Sequence, residues 1–155
     1  MHLASWGVHS LSLQLPNKGR WVSNGKTLAK IVQFICRWLE IFDNHADLSK
    51  IIPVGHSLGG VAAAVALAEG APATGAILLH SAAISRELPA YLSRIKKPVL
   101  IHGADEHVSP ARNRDYFYRF VRSGIAEISI KDAIHEDARF PSQSTHATEE
   151  CKSPL

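Results

Sequence analysis

The sequence predicts an α/β fold, a mostly parallel sheet with helices on both faces. Three observations predict it. Short apolar runs bounded by turn residues recur at 51–54, 75–80, 98–102 and 126–130. Segments with helical spacing lie between those runs. One run leads through Gly55-His56-Ser57-Leu58-Gly59-Gly60 into a stretch of small and apolar residues, a strand, a tight turn and a helix. At 155 residues the chain suits one domain with a usable core.

The elements follow in order. Residues 8–15 alternate apolar and polar side chains, as a half-buried strand does, and Pro16-Asn17-Lys18-Gly19 breaks the pattern. Leu28, Ile31, Val32, Ile35, Trp38, Leu39 and Phe42 recur at three- and four-residue steps, which predicts an amphipathic helix over about 25–44. The strand 51–54 precedes the turn, and Val61 to Ala68 forms the helix behind it. A buried strand is expected at 75–80, a helix at 86–96, and a strand at 98–102 bounded by Gly103. Pro110 suits the first turn of a helix running to about Arg122. Residues 126–130 form the last strand and 131–135 a loop. The chain beyond Phe140 is polar and aperiodic. The expected organisation is therefore one domain over 1–140 and a loose tail over 141–155.

Bulk properties narrow the function. Seventeen basic against fourteen acidic residues give a formal net charge of +3. The basic residues are scattered. The densest group (Arg112, Arg114, Arg119, Arg122) is interleaved with Asp115 and aromatics and reads as a solvated helix face, not a nucleic-acid surface. No apolar run is long enough to span a bilayer, and the first residues lack a signal-peptide pattern, which favours the cytoplasm. Cys36 and Cys151 make no disulfide framework, and Cys36 is expected as a buried thiol.

The turn at 55–60 carries the chemistry. A nucleophile elbow places its serine at a sharp bend between strand and helix, and Gly55 and Gly59 are expected to lack side chains for steric reasons. Ser57 is then the nucleophile. A serine hydroxyl needs a base to take its proton and an acid to orient that base. Both are expected later in the chain, at the carboxyl ends of strands. The run after 98–102 reads Gly103-Ala104-Asp105-Glu106-His107-Val108-Ser109-Pro110, and the loop after 126–130 holds His135. No cofactor is required, and the partner is a small or lipid-like ester. His56 is expected to pack beside the turn, and His80 and His102 to be hydrogen-bonded rim residues at strand ends. His102, Asp105, Glu106 and His107 lack the helical spacing of a zincin motif, so no metal site is expected. Trp6, Trp21 and Trp38 are expected as core or rim aromatics.

In these three loops the chain resembles an α/β-hydrolase from that family's fourth strand onward. The family's acid loop has its acid four places before a proline, and counting back from Pro110 reaches Glu106, where the family mostly has Asp. Asp105 is the alternative after a one-residue adjustment of the loop. The resemblance makes His135 the base and the backbone N–H of Leu58 an oxyanion donor. A narrower resemblance, through Leu3-Ala4-Ser5-Trp6-Gly7 and Arg37-Trp38-Leu39, is to the dienelactone hydrolase, chlorophyllase and cutinase-like branches. The elbow departs from the chlorophyllase form, which has Arg where Leu58 stands.

The resemblance also says what this chain lacks. The family's first three strands have no counterpart, and the loop after the third normally supplies a second oxyanion N–H. One such donor is worth about 3–4 kcal/mol in the transition state. Residues 51–54 would then pair with 10–15 or stand as an apolar edge open to self-association. About seventeen residues separate the strands at 75–80 and 98–102, which leaves no room for a lid domain. The expected activity is hydrolysis of carboxylic esters, thioesters included. The alternative is a truncated or degenerate, non-catalytic binding module, and a cofactor-free haloperoxidase or lyase on the same scaffold is a third reading.

Overall fold

The structure, a computed structural model, describes residues 3–16, 19–42, 46–82, 85–103 and 113–138. Four parallel strands, β1 (Val54–His56), β2 (Ala76–Leu79), β3 (Val99–Gly103) and β4 (Gly124–Ser129), form one sheet in the order β1-β2-β3-β4. Helix α1 (Trp21–Phe42) precedes them, and α2 (Leu58–Ala68), α3 (Leu88–Leu92) and α4 (Asn113–Phe120) occupy the three crossovers. The α/β class and the parallel sheet are as the sequence predicts.

Because all three crossovers step the same way, the right-handed rule puts α2, α3 and α4 on one face of the sheet. Burial agrees with this. Ala76, Leu78, Val99 and Ile101 alternate along β2 and β3, and all are buried in one cluster with Val61 and Val65 of α2, Leu88 and Leu92 of α3, and Phe117 of α4. The opposite rows, Val54–Ile77–Leu100 and His56–Leu79–His102–Ile128, are aligned by strand register and are half-buried or exposed. A second covering layer is not among the described residues.

Helix α2 consists of small residues because it is buried from Gly60 to Leu67. That lets α1 lie directly on it. A Cβ at Gly25 of α1 would stand 2.4 Å from Val65 Cβ and 2.9 Å from the Ala62 carbonyl oxygen, so the helices touch backbone to backbone there. Helix α1 begins four residues earlier than its apolar spacing suggests. Trp21 packs on the core, whereas Trp38 is half exposed and Trp6 is 75 % exposed, so neither of those two is a core aromatic. Cys36 is half-buried, less enclosed than expected.

The strand expected at 8–15 does not form. Those residues are irregular and mostly exposed, because an alternating segment becomes a strand only when a neighbour takes its backbone hydrogen bonds, and among the described residues β1 pairs only with β2. Of the two alternatives for the segment leading to the turn, the structure adopts the apolar edge, with Ile52 and Val54 more than half exposed. The strand itself is shifted to Val54–His56. Ile51 and Pro53 still accept from the Thr74 and Ile77 N–H groups, but Pro53 has no N–H to return. Helix α3 is shorter than expected, and the expected helix start at Pro110 and the tail beyond Phe140 lie outside the described residues.

Asp47 caps the 3-10 turn Leu48–Lys50 that leads into β1. Its carboxylate accepts from the Ser49 N–H (3.1 Å) and hydroxyl (2.5 Å) and pairs with Lys50 (2.8 Å). The Lys50 and Ser49 bonds hold its pKa down, at about 2 against the ordinary 3.8. A depressed carboxylate stabilises the fold above its unfolded pKa. The contribution of Asp47 is therefore complete above about pH 4 and fades as pH falls towards 2. A carboxyl-carbon NMR titration is expected to show a midpoint near 2 for Asp47, moved back towards 3.8 in Lys50→Ala.

Gly25→Ala provides a test of the α1–α2 contact. In an exposed helix this change stabilises by up to about 1 kcal/mol. Here the added methyl must separate the helices, so chemical denaturation is expected to show a loss of about 1–3 kcal/mol.

Candidate functional site

The site is built on the turn between β1 and α2. Ser57 has φ 54° and ψ −120°, a region that non-glycine residues rarely enter and that costs about 1–3 kcal/mol. Three backbone hydrogen bonds hold it there. The Ser57 N–H donates to Leu79 O (3.0 Å), and the Ser57 carbonyl accepts from Gly60 N–H (3.1 Å) and Ala82 N–H (3.1 Å). The strained residue is thus tied both to its own helix and to the end of β2.

Gly55 is required as expected, because a Cβ there would stand 2.2 Å from the Gly59 carbonyl oxygen. Gly59 is not. A Cβ at Gly59 meets nothing within 4 Å, and the second obligatory glycine is Gly60, where it would stand 1.7 Å from Ser81 Oγ. The reason is the approach of the β2 end to the helix start. Ser81 follows the strand and lies against the Gly60 backbone, which no motif local to 55–60 encodes. Among the described residues, the buried Ser81 Oγ has no hydrogen-bond partner.

Ser57 sits at the N-cap of α2, yet its side chain makes no capping hydrogen bond. Its Oγ points instead to His135, whose Nε2 is 2.9 Å away. His135 opens the 3-10 turn His135–Ala138 beyond the end of β4. The loop that carries it is shaped by Asp132 in the left-handed region (φ 61°) and by Asp137, whose carboxylate accepts from the Ile134 N–H (2.8 Å). Seventy-eight residues of sequence separate Ser57 from His135, and the parallel sheet brings them together because both loops leave the carboxyl ends of their strands.

Two more histidines complete the cluster. His56 Nε2 donates to the His135 carbonyl oxygen at 2.7 Å, and the two rings lie 4.5 Å apart. Against the expectation of simple packing, His56 therefore also anchors the backbone that presents His135. His80 is buried at the end of β2, and its Nδ1 is hydrogen-bonded to His135 Nδ1, the ring nitrogen that faces away from Ser57. Its backbone is also in the left-handed region (φ 40°), with its N–H donating to His102 O at 2.6 Å. The sequence shows His80 as a strand-end residue with a hydrogen-bond partner. The identity of that partner had no local signal, since it lies fifty-five residues away.

Leu58 is the first residue of α2, so its N–H is one of the four at a helix start that have no acceptor within the helix. Glu106 and Asp105 lie outside the described residues, as does His107. A cleft of about 250 Å³ adjoins His80 and His102 and is walled by the 130–134 loop, Asp137 and Ala138. Among the described residues no group of three or more His, Cys, Asp or Glu side chains is arranged to hold a metal ion, and no described helix is long and apolar enough to cross a membrane.

No family model and no curated protein matches the chain. Among solved structures, it is similar to a dienelactone hydrolase-like promiscuous phosphotriesterase from metagenomic libraries, at a TM-score of 0.44 and 16 % identity. The likeness covers 74 % of this chain and 46 % of that one, so this chain spans about half the length of its structural neighbour.

The glycine geometry makes a direct prediction. Gly60→Ala is expected to lower stability markedly, while Gly59→Ala, in open space, stays within about 1 kcal/mol of wild type. Combining Gly60→Ala with Ser81→Gly is expected to recover part of the loss in thermal unfolding, because the group that the new methyl strikes is gone.

Proposed function

We propose that this chain is a serine hydrolase of α/β-hydrolase type that cleaves carboxylic esters, thioesters included. One observation carries the reading. Ser57, at a strained positive-φ turn between a parallel strand and a helix, spends its hydroxyl on His135 Nε2 at 2.9 Å rather than on capping the helix. A hydroxyl so placed stands at the strand end and has a base within proton-transfer reach.

In this mechanism Ser57 Oγ attacks the substrate carbonyl carbon as His135 Nε2 takes its proton. The oxyanion that forms is stabilised by the Leu58 N–H at the start of α2, where the helix dipole also favours negative charge. His135 then gives its proton to the departing alcohol or thiol, leaving an acyl-enzyme on Ser57. Water, deprotonated by His135, releases the acid and restores the hydroxyl. Glu106, or Asp105 in the alternative loop register, is the proposed acid that supports His135. His56 holds the His135 backbone through its carbonyl. No step needs a cofactor. The likeness to a hydrolase of the dienelactone hydrolase type, at 0.44, is too distant to select a substrate.

The test is covalent. A fluorophosphonate probe is expected to label the folded chain at Ser57, and Ser57→Ala to abolish both labelling and p-nitrophenyl ester hydrolysis, the latter by at least about 10³-fold. A folded wild-type chain that neither labels nor hydrolyses would instead be the non-catalytic binding module.

A further inference from the structure

The contact between His80 and His135 has a chemical direction. For Nε2 of neutral His135 to accept the Ser57 proton, that nitrogen must be bare, and the ring's own proton then sits on Nδ1. His135 Nδ1 therefore donates across the contact, and His80 Nδ1 accepts, which places the His80 proton on its Nε2. For His135 the Nδ1–H form is the one a free histidine side chain favours less, so a partner at Nδ1 must hold His135 in it.

His80 is built to do so. Its side chain is buried, its ring meets His135 edge-on with centroids 4.6 Å apart, and its backbone is pinned through the N–H bond to His102 O. It also occupies the left-handed region at φ 40°. A buried non-glycine residue held in that region is strained, and such strain persists where the surroundings dictate one placement of the side chain. Here the adjoining residues are tied to the Ser57 turn, since Leu79 O accepts from the Ser57 N–H and Ala82 N–H donates to the Ser57 carbonyl. The turn that strains Ser57 and the bend that strains His80 are thus held by one set of hydrogen bonds.

We propose that His80 is a positioning residue for His135. As a neutral imidazole acceptor it keeps His135 in the Nδ1–H form, leaves Nε2 bare for the Ser57 proton, and keeps accepting that hydrogen bond when His135 becomes the imidazolium. This rests on the reading of Ser57 and His135 as the nucleophile and base of a hydrolase. It assigns orientation of the base to a histidine from the end of β2, whether or not a carboxylate from the 105–106 loop shares the task.

The experiment uses the full chain and four forms: wild type, His80→Phe, His80→Gly and His80→Asn. Glycine suits the positive φ and deletes the acceptor, and asparagine tolerates that φ and offers a carbonyl acceptor. Long-range nitrogen–proton NMR at neutral pH is expected to find His135 of the wild type protonated on Nδ1. In His80→Phe and His80→Gly the proton is expected to move to Nε2, and in His80→Asn to stay on Nδ1. In ester hydrolysis, kcat is expected to fall about 10²-fold in the phenylalanine and glycine variants with KM within twofold, and to fall less than tenfold in the asparagine variant. A wild-type His135 protonated on Nε2 overturns the proposal by itself. So does a folded His80→Gly that retains both the Nδ1–H form and the wild-type kcat, which would assign the orientation to another group. Failure of the probe to label wild-type Ser57 would instead defeat the hydrolase reading, while the tautomer measurement would still decide whether His80 orients His135.

Discussion

The backbone bond from the Ser57 N–H to Leu79 O, paired with that from Ala82 N–H to the Ser57 carbonyl, joins the end of β2 to the turn at the start of α2. The remaining features of the site depend on this junction. It holds Ser57 at a positive φ that the residue would not keep alone, and so directs the hydroxyl away from the helix cap and towards His135. It brings Ser81 against Gly60, which is why that position must be glycine. It also sets the bend at His80, whose ring then reaches the far side of His135. A strained serine, an obligatory glycine and a strained histidine are consequences of one close approach between a strand end and a helix start.

Layering makes the approach possible. Helix α2 lies on β1 and β2 through alanine, valine and glycine, so its axis runs near the sheet and its first turn meets the strand ends directly. Helix α1 in turn closes on α2 at Gly25, and larger side chains at either contact would lift the stack and loosen the turn. The apolar residues that anchor the stack, Leu78, Val99, Leu88 and Phe117 among them, are fully buried on that one face. On the other face Val54 and Ile128 remain substantially exposed, and among the described residues β1 is an unpaired edge. The site therefore sits at the margin of a well-packed layer, with His56 on the less covered side and His80 on the buried side both holding His135.

Much of this was legible in the chain, and the exceptions share a cause. The elements at 75–80 and 98–102 and the helix behind the turn follow from apolar runs and small-residue content, because burial on a parallel sheet demands those compositions locally. Ser57 and His135 stand out because each follows a strand, and the structure brings them within 2.9 Å of each other. Residues 8–15 have the alternation of a strand but no strand partner among the described residues, and Pro53 has no N–H to extend β1 backwards. The motif at 55–60 singles out Gly59, whereas the approach of Ser81 and of the Gly55 carbonyl makes Gly60 the constrained position. His80 was visible as a histidine at a strand end, whereas its contact with His135 depends on how far the 130–134 loop folds back across the sheet.

The sequence by itself determined the α/β class, the strand–turn–helix around Ser57 and the two residues that meet there, since these rest on local patterns of size, polarity and order along the chain. The tertiary structure decided which glycine the turn cannot replace, which face of the sheet is covered, where β1 begins, and which groups hold His135 from behind. Those are questions of distance between segments far apart in the chain. Side-chain periodicity says which way a residue faces along its own element, but only the packing of a strand end against a helix start brings Ser81 onto Gly60 and His80 onto His135.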